Sequence, residues 1–196
     1  MGKKMSPKIM RLFNSWYKEA KQKELNNPNA MSLATSTCFG VPSVRVVLLK
    51  SYNSEGFVFY TNIISQKGQE LDTNPHASAC FHWKSTNKQI RISGAVEQVG
   101  DEEIDNYFAG RPRPSQIGAW ASKQSQGMAN RRELELRVEK YTSKYANRDI
   151  PRPEFWIGFR IIPIRVEFWH EFAFRLHDRE VFVLEDEVWK AQKLFP

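Results

Sequence analysis

The sequence predicts a mainly β protein with flanking helices (α+β), arranged as a closed or nearly closed antiparallel barrel. Three observations carry this. Short segments of alternating apolar and polar residues recur along the chain, bounded by Gly, Pro, Asn or Ser turn signals. Segments of helical periodicity are few, and they lie at the start and in the middle. No internal repeat, low-complexity tract or dividing linker appears. Residues 1–196 therefore read as one domain, with residues 1–28 forming a helix packed on the barrel.

The elements follow in order. Ser6 and Pro7 suit an N-cap and a first helical position. Ile9, Leu12, Phe13, Trp16, Tyr17 and Ala20 then keep helical spacing, and Asn26-Asn27-Pro28 breaks the helix. Strands are expected at Ala30–Thr35 and Ser43–Lys50, around the turn Phe39-Gly40-Val41-Pro42, and at Phe57–Thr61 after Asn53-Ser54-Glu55-Gly56. Ser65–Asp72 reads as a short helix. His76–Trp83 and Gln89–Val99 read as strands, the latter with Ile90 and Ile92 on one face and Gln89 and Arg91 on the other. Asp101 is expected to cap a helix with Glu102 and Glu103 in its first turn, where negative charge suits the dipole. Ile104, Tyr107 and Phe108 form its apolar side, and Pro112 ends it near Arg111. Gln116–Ser122 and Arg131–Tyr145 read as further helices, the second with Leu134, Val138, Tyr141 and Tyr145 at helical spacing. After the connector Arg148–Pro153, strands are expected at Phe155–Ile161, Ile164–Trp169, Phe174–Asp178, Val181–Leu184 and Val188–Lys190.

A chain of 196 residues is long enough to bury one substantial core. Hydrophobic content of 41% and charged content of 26% are ordinary for a globular protein. No apolar run approaches the roughly 20 residues of a membrane span. Met1–Ser6 has no apolar stretch of the signal-peptide kind, although it fits the loose Met-Gly-x-x-x-Ser pattern for myristoylation. The net charge of +7 admits nucleic-acid binding, but the basic residues are scattered among acidic ones. Local positive charge for a phosphorylated small molecule is the other reading, and no nucleic-acid or membrane partner is expected. Cys38 and Cys80 match no metal-ligand or CxxC spacing, so no metal is expected. Buried thiols in a reducing, cytoplasmic compartment are expected instead of a disulfide. No GxGxxG or Walker A loop is present.

Two stretches carry the chemistry. In an extended Arg175-Leu176-His177-Asp178-Arg179, the side chains of Arg175, His177 and Arg179 share a face. That face is either a solvated strand edge, with Arg179 paired to Asp178, or two cations flanking an imidazole at a site. The other stretch is Arg111-Pro112-Arg113-Pro114-Ser115 through Gly118-Ala119-Trp120 to Gln124-Ser125. With them come Arg45-Val46-Val47-Leu48-Leu49-Lys50, Phe59-Tyr60-Thr61-Asn62, Ser65-Gln66-Lys67, Gln89, Phe155-Trp156-Ile157-Gly158-Phe159-Arg160 and Glu167-Phe168-Trp169. In this order and spacing, over about residues 29–196, they resemble the pyridoxamine/pyridoxine 5′-phosphate oxidases.

The resemblance implies an FMN-binding split β-barrel, usually a homodimer with flavin at the subunit interface. It implies oxidation at C4′ of pyridoxamine or pyridoxine 5′-phosphate to pyridoxal 5′-phosphate. A hydride equivalent goes to flavin N5, with O2 as acceptor and H2O2 as product. It assigns FMN to Arg45, Val46, Val47, Leu48, Leu49 and Lys50, with Arg45 and Lys67 on the phosphate. Tyr60, Thr61, Gln66, Gln124 and Ser125 add contacts, Gln89 and Trp169 come from the second subunit, and Arg179 lies beside the ring. It places the substrate phosphate among Lys50, Tyr107, Arg111 and Ser115, and it gives the catalytic and ring-closing positions to Arg175 and His177. Arg175 would stabilise charge near C4′, and His177 would orient substrate or handle a proton. The residue types suit phosphate dianions, which take charge-assisted hydrogen bonds. By their own pattern, Arg45 also reads as an edge-strand cation and Trp169 as a core aromatic, while Tyr107 taken alone reads as helix packing. A phenazine-type oxidase of the same group, or a non-catalytic flavin-, haem- or nucleic-acid-binding barrel, are the competing readings.

Three departures stand out. Gln66 replaces an Arg that many relatives carry before the Lys. A basic, Tyr-containing N-terminal arm of some relatives has no counterpart before Ser6. Phe172-Ala173-Phe174 stands where smaller or polar residues are expected. The first two predict weaker retention of FMN and substrate.

Overall fold

The computed structural model describes residues 4–196. The Met1-Gly2-Lys3 start of the myristoylation pattern lies outside the described residues. The first helix, α1 (Pro7–Lys23), begins as its sequence dictates: the Ser6 hydroxyl accepts the Ile9 N–H and Pro7 occupies the first turn. Its apolar stripe is buried at Ile9, Phe13, Tyr17 and Ala20. Phe13 meets the rings of Tyr52, Phe57 and Phe81 edge-on. The helix thus closes one side of the barrel core instead of lying loosely on it.

Among the described residues, nine strands form one antiparallel sheet: β1 (Ala30–Ser36), β2 (Pro42–Leu48), β3 (Ser51–Asn53), β4 (Gly56–Asn62), β5 (His76–Trp83), β6 (Lys88–Gln98), β7 (Trp156–His170), β8 (Asp178–Glu185) and β9 (Val188–Lys193). Their order is β2-β1-β5-β6-β7-β4-β3, with β8 and β9 added on β7. The inward alternation is clean on β5 and β6. Ile90 and Ile92 are fully buried while Gln89 and Arg91 stay on the other face. Short β3, a partner of β4 before the turn at residues 54–55, carries no sequence signal long enough to be expected.

Three expectations about the last third are corrected. The two strands expected on either side of residues 162–163 are one strand, β7. Pro163 breaks the sequence pattern but not the strand, because it faces Gly94 where the β6 register shifts. A bulge accommodates a residue without an N–H. There is no strand at Phe174–Asp178. Ala173–Arg175 forms a 3-10 turn with Phe174 at φ 58° and Arg175 at φ 62°, and β8 starts only at Asp178. The left-handed backbone cancels the alternation that would have put Arg175, His177 and Arg179 on one face.

The middle helices are α2 (Gln66–Thr73), α3 (Asp101–Ala109), α4 (Arg113–Ala121) and α5 (Arg131–Lys144). Gly100, not Asp101, is the N-cap of α3, and Asp101 sits in its first turn with Glu102 and Glu103. The helix α4 starts three residues earlier than its apolar pattern suggests, because Pro114 fits a first turn. No residue of α5 is buried, and Val138, expected on its apolar face, is exposed. The cysteine expectation is corrected too: both thiols are free, but Cys38 is exposed and Cys80 half-buried.

Candidate functional site

Two adjoining clefts, of about 610 and 570 Å³, open beside the C-terminal half of β2 and β4. They share Leu48, Lys50, Tyr60, Thr61, Arg111 and Gln124. Tyr107, Ser115 and Trp156 complete the first, and Arg45, Val46, Val47, Gln66, Lys67 and Ser125 complete the second. The fold thus gathers fourteen of the predicted residues from β2, β4, α2, α3, α4 and the segment after it. Leu49 is the exception on β2's end: it is buried and belongs to the core cluster.

The second cleft is a polar seat. Ser65 caps α2, its hydroxyl accepting the Gly68 N–H, which turns Lys67 inward. Gly68 has to be Gly, because a Cβ would collide with the carbonyl oxygen of Ile63. Lys67 is 7% exposed. Its Nζ donates to Thr61 Oγ1 at 3.1 Å, Ser65 Oγ at 3.2 Å and Gln124 Oε1 at 3.1 Å. Burial, then the nearby Arg45 charge, pushes the Lys67 pKa down, against a smaller opposite pull from Glu70. Arg45 donates to Ser43 Oγ at 2.5 Å, to Thr35 Oγ1 and to the Leu33 carbonyl. Behind it Glu70 is buried. It accepts from Ser43, Thr35 and Gln66 and lies 3.4 Å from Arg45 Nη2. Burial alone would raise the Glu70 pKa, but these hydrogen bonds and the Arg45 charge outweigh it and the net direction is down. Thr35, Ser43 and Glu70 were not singled out in the sequence. The i,i+4 spacing of Gln66 and Glu70 on α2 was their available signal.

The first cleft is an aromatic seat. The ring of Tyr60 lies parallel to Tyr107 at 4.1 Å and to Trp156 at 5.0 Å. Gly158, register partner of Tyr60, makes room for it: a Cβ there would come 2.7 Å from that ring. Burial first, with Glu103 and Tyr107 adding, pushes the Tyr60 phenol up to about 12. The Arg111 guanidinium lies over Trp156 at 4.9 Å and Phe108 at 5.7 Å from their ring centroids. Its Nη1 is buried without a hydrogen-bond partner. A buried unpaired donor of this kind is open to a hydrogen-bonding ligand, and a cationic one suits an anion.

The remaining predicted residues lie elsewhere. Gln89, Trp169 and Arg179 are neighbours across β6, β7 and β8. The His177 ring is 4.6 Å from Trp169, and its Nδ1 accepts the Phe172 N–H. Arg175 is exposed. None of these five lines either cleft. Arg179 does not pair with Asp178, which instead meets Lys193. It donates twice to buried Glu167, at 2.9 and 2.7 Å, a carboxylate that also lies near Arg91 and Arg165.

The donor set of the second cleft fits the phosphate of FMN: a buried ammonium, a guanidinium, hydroxyls and a side-chain amide around one opening. Comparison with known proteins places the chain in a family. The family model described as pyridoxamine 5′-phosphate oxidase matches residues 17–145, and that described as the pyridoxine 5′-phosphate oxidase C-terminal dimerisation region matches residues 156–196. The chain is 53% identical over 187 residues to a pyridoxine/pyridoxamine 5′-phosphate oxidase of Chelativorans sp. (strain BNC1), covering 95% of this chain and 90% of that protein. It is 51% identical over 193 residues to the like-named protein of Brucella anthropi, covering 97% and 95%. Among solved structures, PhzG from Burkholderia lata 383, in complex with tetrahydrophenazine-1-carboxylic acid, matches with a TM-score of 0.90 at 32% identity over 95% and 92% of the two chains. An FMN-binding protein of Nostoc punctiforme shares the fold with a TM-score of 0.77 at 15% identity, over 98% and 99%. On the extent of these matches, the chain belongs to the pyridoxamine 5′-phosphate oxidase family.

Proposed function

We propose that this protein is an FMN-dependent oxidase that converts pyridoxamine 5′-phosphate and pyridoxine 5′-phosphate to pyridoxal 5′-phosphate, with O2 as acceptor and H2O2 as product. The observation that carries the reading is the pair of cationic seats in two adjoining clefts that share part of their lining. A flavin mononucleotide and a phosphorylated pyridine each bring one phosphate. The seat of Arg45 and Lys67 serves the cofactor, with Thr61, Gln124 and Ser125 beside it. The seat of Arg111, with Lys50, Tyr107 and Ser115, serves the substrate. Tyr60 lines both openings, its ring stacked on Tyr107 and Trp156.

Bound FMN supplies the two-electron oxidation and returns the electrons to dioxygen. The chain's own task is to bind, orient and exclude water. Gln89, Trp169, Arg175, His177 and Arg179 lie away from the clefts of their own chain, in or beside the segment that matches the dimerisation region. This supports a homodimer in which each subunit lends that strip to its partner's cleft. Arg175 then faces developing charge at the substrate and His177 orients it. On this reading the chain works as one domain, in the cytoplasm.

A phenazine-type oxidase is the second reading, favoured by the 0.90 TM-score to PhzG. The ligand in that structure carries a carboxylate and no phosphate ester, so it gives the Arg111 seat less to do. Turnover separates the two: the purified yellow protein is expected to oxidise pyridoxamine 5′-phosphate, and absence of turnover overturns the proposal. Arg175→Ala is expected to leave a folded, FMN-loaded dimer with turnover reduced by about 2–4 kcal/mol, roughly 30- to 1000-fold. Normal turnover in that variant would remove Arg175 from the reaction.

A further inference from the structure

We infer that Trp156 is a positioning residue for the substrate's phosphate: its ring face holds the Arg111 guanidinium in place while every in-plane N–H of that guanidinium stays available. The inference rests on the reading of Arg111 as a phosphate ligand and adds how that ligand is held.

An arginine with a buried guanidinium nitrogen is ordinarily fixed by a carboxylate or by carbonyls. Either uses up donors, and a carboxylate also places a negative charge where a phosphate dianion has to enter. Arg111 has neither among the described residues. Its guanidinium carbon lies 4.9 Å from the Trp156 centroid and 5.7 Å from that of Phe108, and Nη1 is buried with no partner. A ring attracts a cation through its face and takes no hydrogen bond. A cation held through a ring commits none of its N–H donors, so the Arg111 fork stays free for bidentate phosphate contact.

Trp156 is itself held on all sides. It is 7% exposed. Its backbone opens β7 in register with Asn62, its N–H donates to the Pro153 carbonyl, and its own carbonyl accepts from Arg152 at 3.1 Å. Its ring is parallel to Tyr60 and Tyr107 and meets Phe108 edge-on at 5.0 Å. The platform is therefore rigid before any ligand arrives, which is where preorganisation helps most.

The test uses the FMN-loaded enzyme, with pyridoxine 5′-phosphate as substrate and inorganic phosphate as competing ligand. Trp156→Leu is expected to raise KM, and the inhibition constant of phosphate in step with it, by roughly 10-fold. Trp156→Phe, which keeps a ring with a weaker face, is expected to give about a third of that on the same scale. The loss should fall on KM more than on kcat, and it should vanish when Arg111 is already Met. Unchanged KM in both Trp156 variants overturns the inference. So does an equal loss in the Arg111→Met background, or an equal loss with unphosphorylated pyridoxine, since each would mark Trp156 as general packing. If Arg111→Met alone leaves KM for the phosphate ester unchanged, the underlying assignment of the site falls instead. Trp156→Phe retains the buried ring, so the test stands even if the Leu variant fails to fold.

Discussion

Arg45 and Arg111 stand in the same opening and are held by opposite means. Arg45 is fixed by hydrogen bonds to Thr35, Ser43 and the Leu33 carbonyl, with Glu70 behind them. Arg111 is fixed by ring faces, with a buried donor left over. Much of the hydrogen-bonding capacity of the Arg45 fork is already used, so it contributes mainly its charge, and so does buried Lys67 beside it, whose three N–H donors meet Thr61, Ser65 and Gln124. The aromatic seat keeps its donors in reserve. A cofactor that stays bound suits the first arrangement. A substrate that enters and leaves suits the second, where no internal carboxylate competes for the cation.

The comparison breaks most severely if Lys67 is removed. Lys67→Ala is expected to weaken FMN binding by about 1.5–3 kcal/mol, the worth of a charged hydrogen bond. Activity should recover in part with excess FMN, and flavin fluorescence titration of the apoprotein measures the loss. Its pH signature follows from the downward shift of Lys67. The phosphate prefers the protonated amine, so affinity is full below the lysine's own pKa in the free protein. It declines as pH rises past that point, earlier than for an exposed lysine. The Ala variant should lack this alkaline limb.

Gly158→Ala strikes both seats through one ring. A methyl there would meet Val99 at 2.6 Å and Tyr60 at 2.7 Å, so a loss of about 1–3 kcal/mol in stability is expected from overpacking. Because Tyr60 lines both clefts, FMN affinity and substrate KM should worsen together. A change in only one would show that the seats are mechanically separate.

Thr35→Val sharpens the contrast. It deletes one hydroxyl that accepts from Arg45 and donates to Glu70, and it should cost FMN affinity about 1 kcal/mol. Substrate KM at saturating FMN should not move. The smallest expected effect is a gain. Gln66→Arg adds a cation at the polar seat, but Gln66 is exposed and already bonds Glu70 at 2.9 Å. That carboxylate takes part of the new charge. FMN affinity should improve by about 0.2–1 kcal/mol, and salt should erase the gain. Weaker binding would count against the placement of FMN's phosphate here.

Much of this was determined by local sequence. The Ser6 cap, the β5 and β6 alternation, the α2 start at Ser65 and the Lys67 position all follow from neighbours a few residues apart, where propensity and capping act. The ordered motifs pointed to Arg45, Lys67, Lys50, Tyr107, Arg111 and Ser115, and the two adjoining clefts gather them. What the tertiary structure decided is long-range. Pro163 continues a strand because Gly94, far away in sequence, offers a bulge. Arg179 pairs with Glu167 instead of adjacent Asp178, because strand pairing brings that buried carboxylate to it. Arg175 leaves the expected strand face because two residues take left-handed backbone, which no side-chain alternation encodes. Glu70 and Trp156 matter through contacts with chain segments some 25 to 45 residues away. Periodicity reports which face a residue prefers, and only the packed chain reports what that face meets.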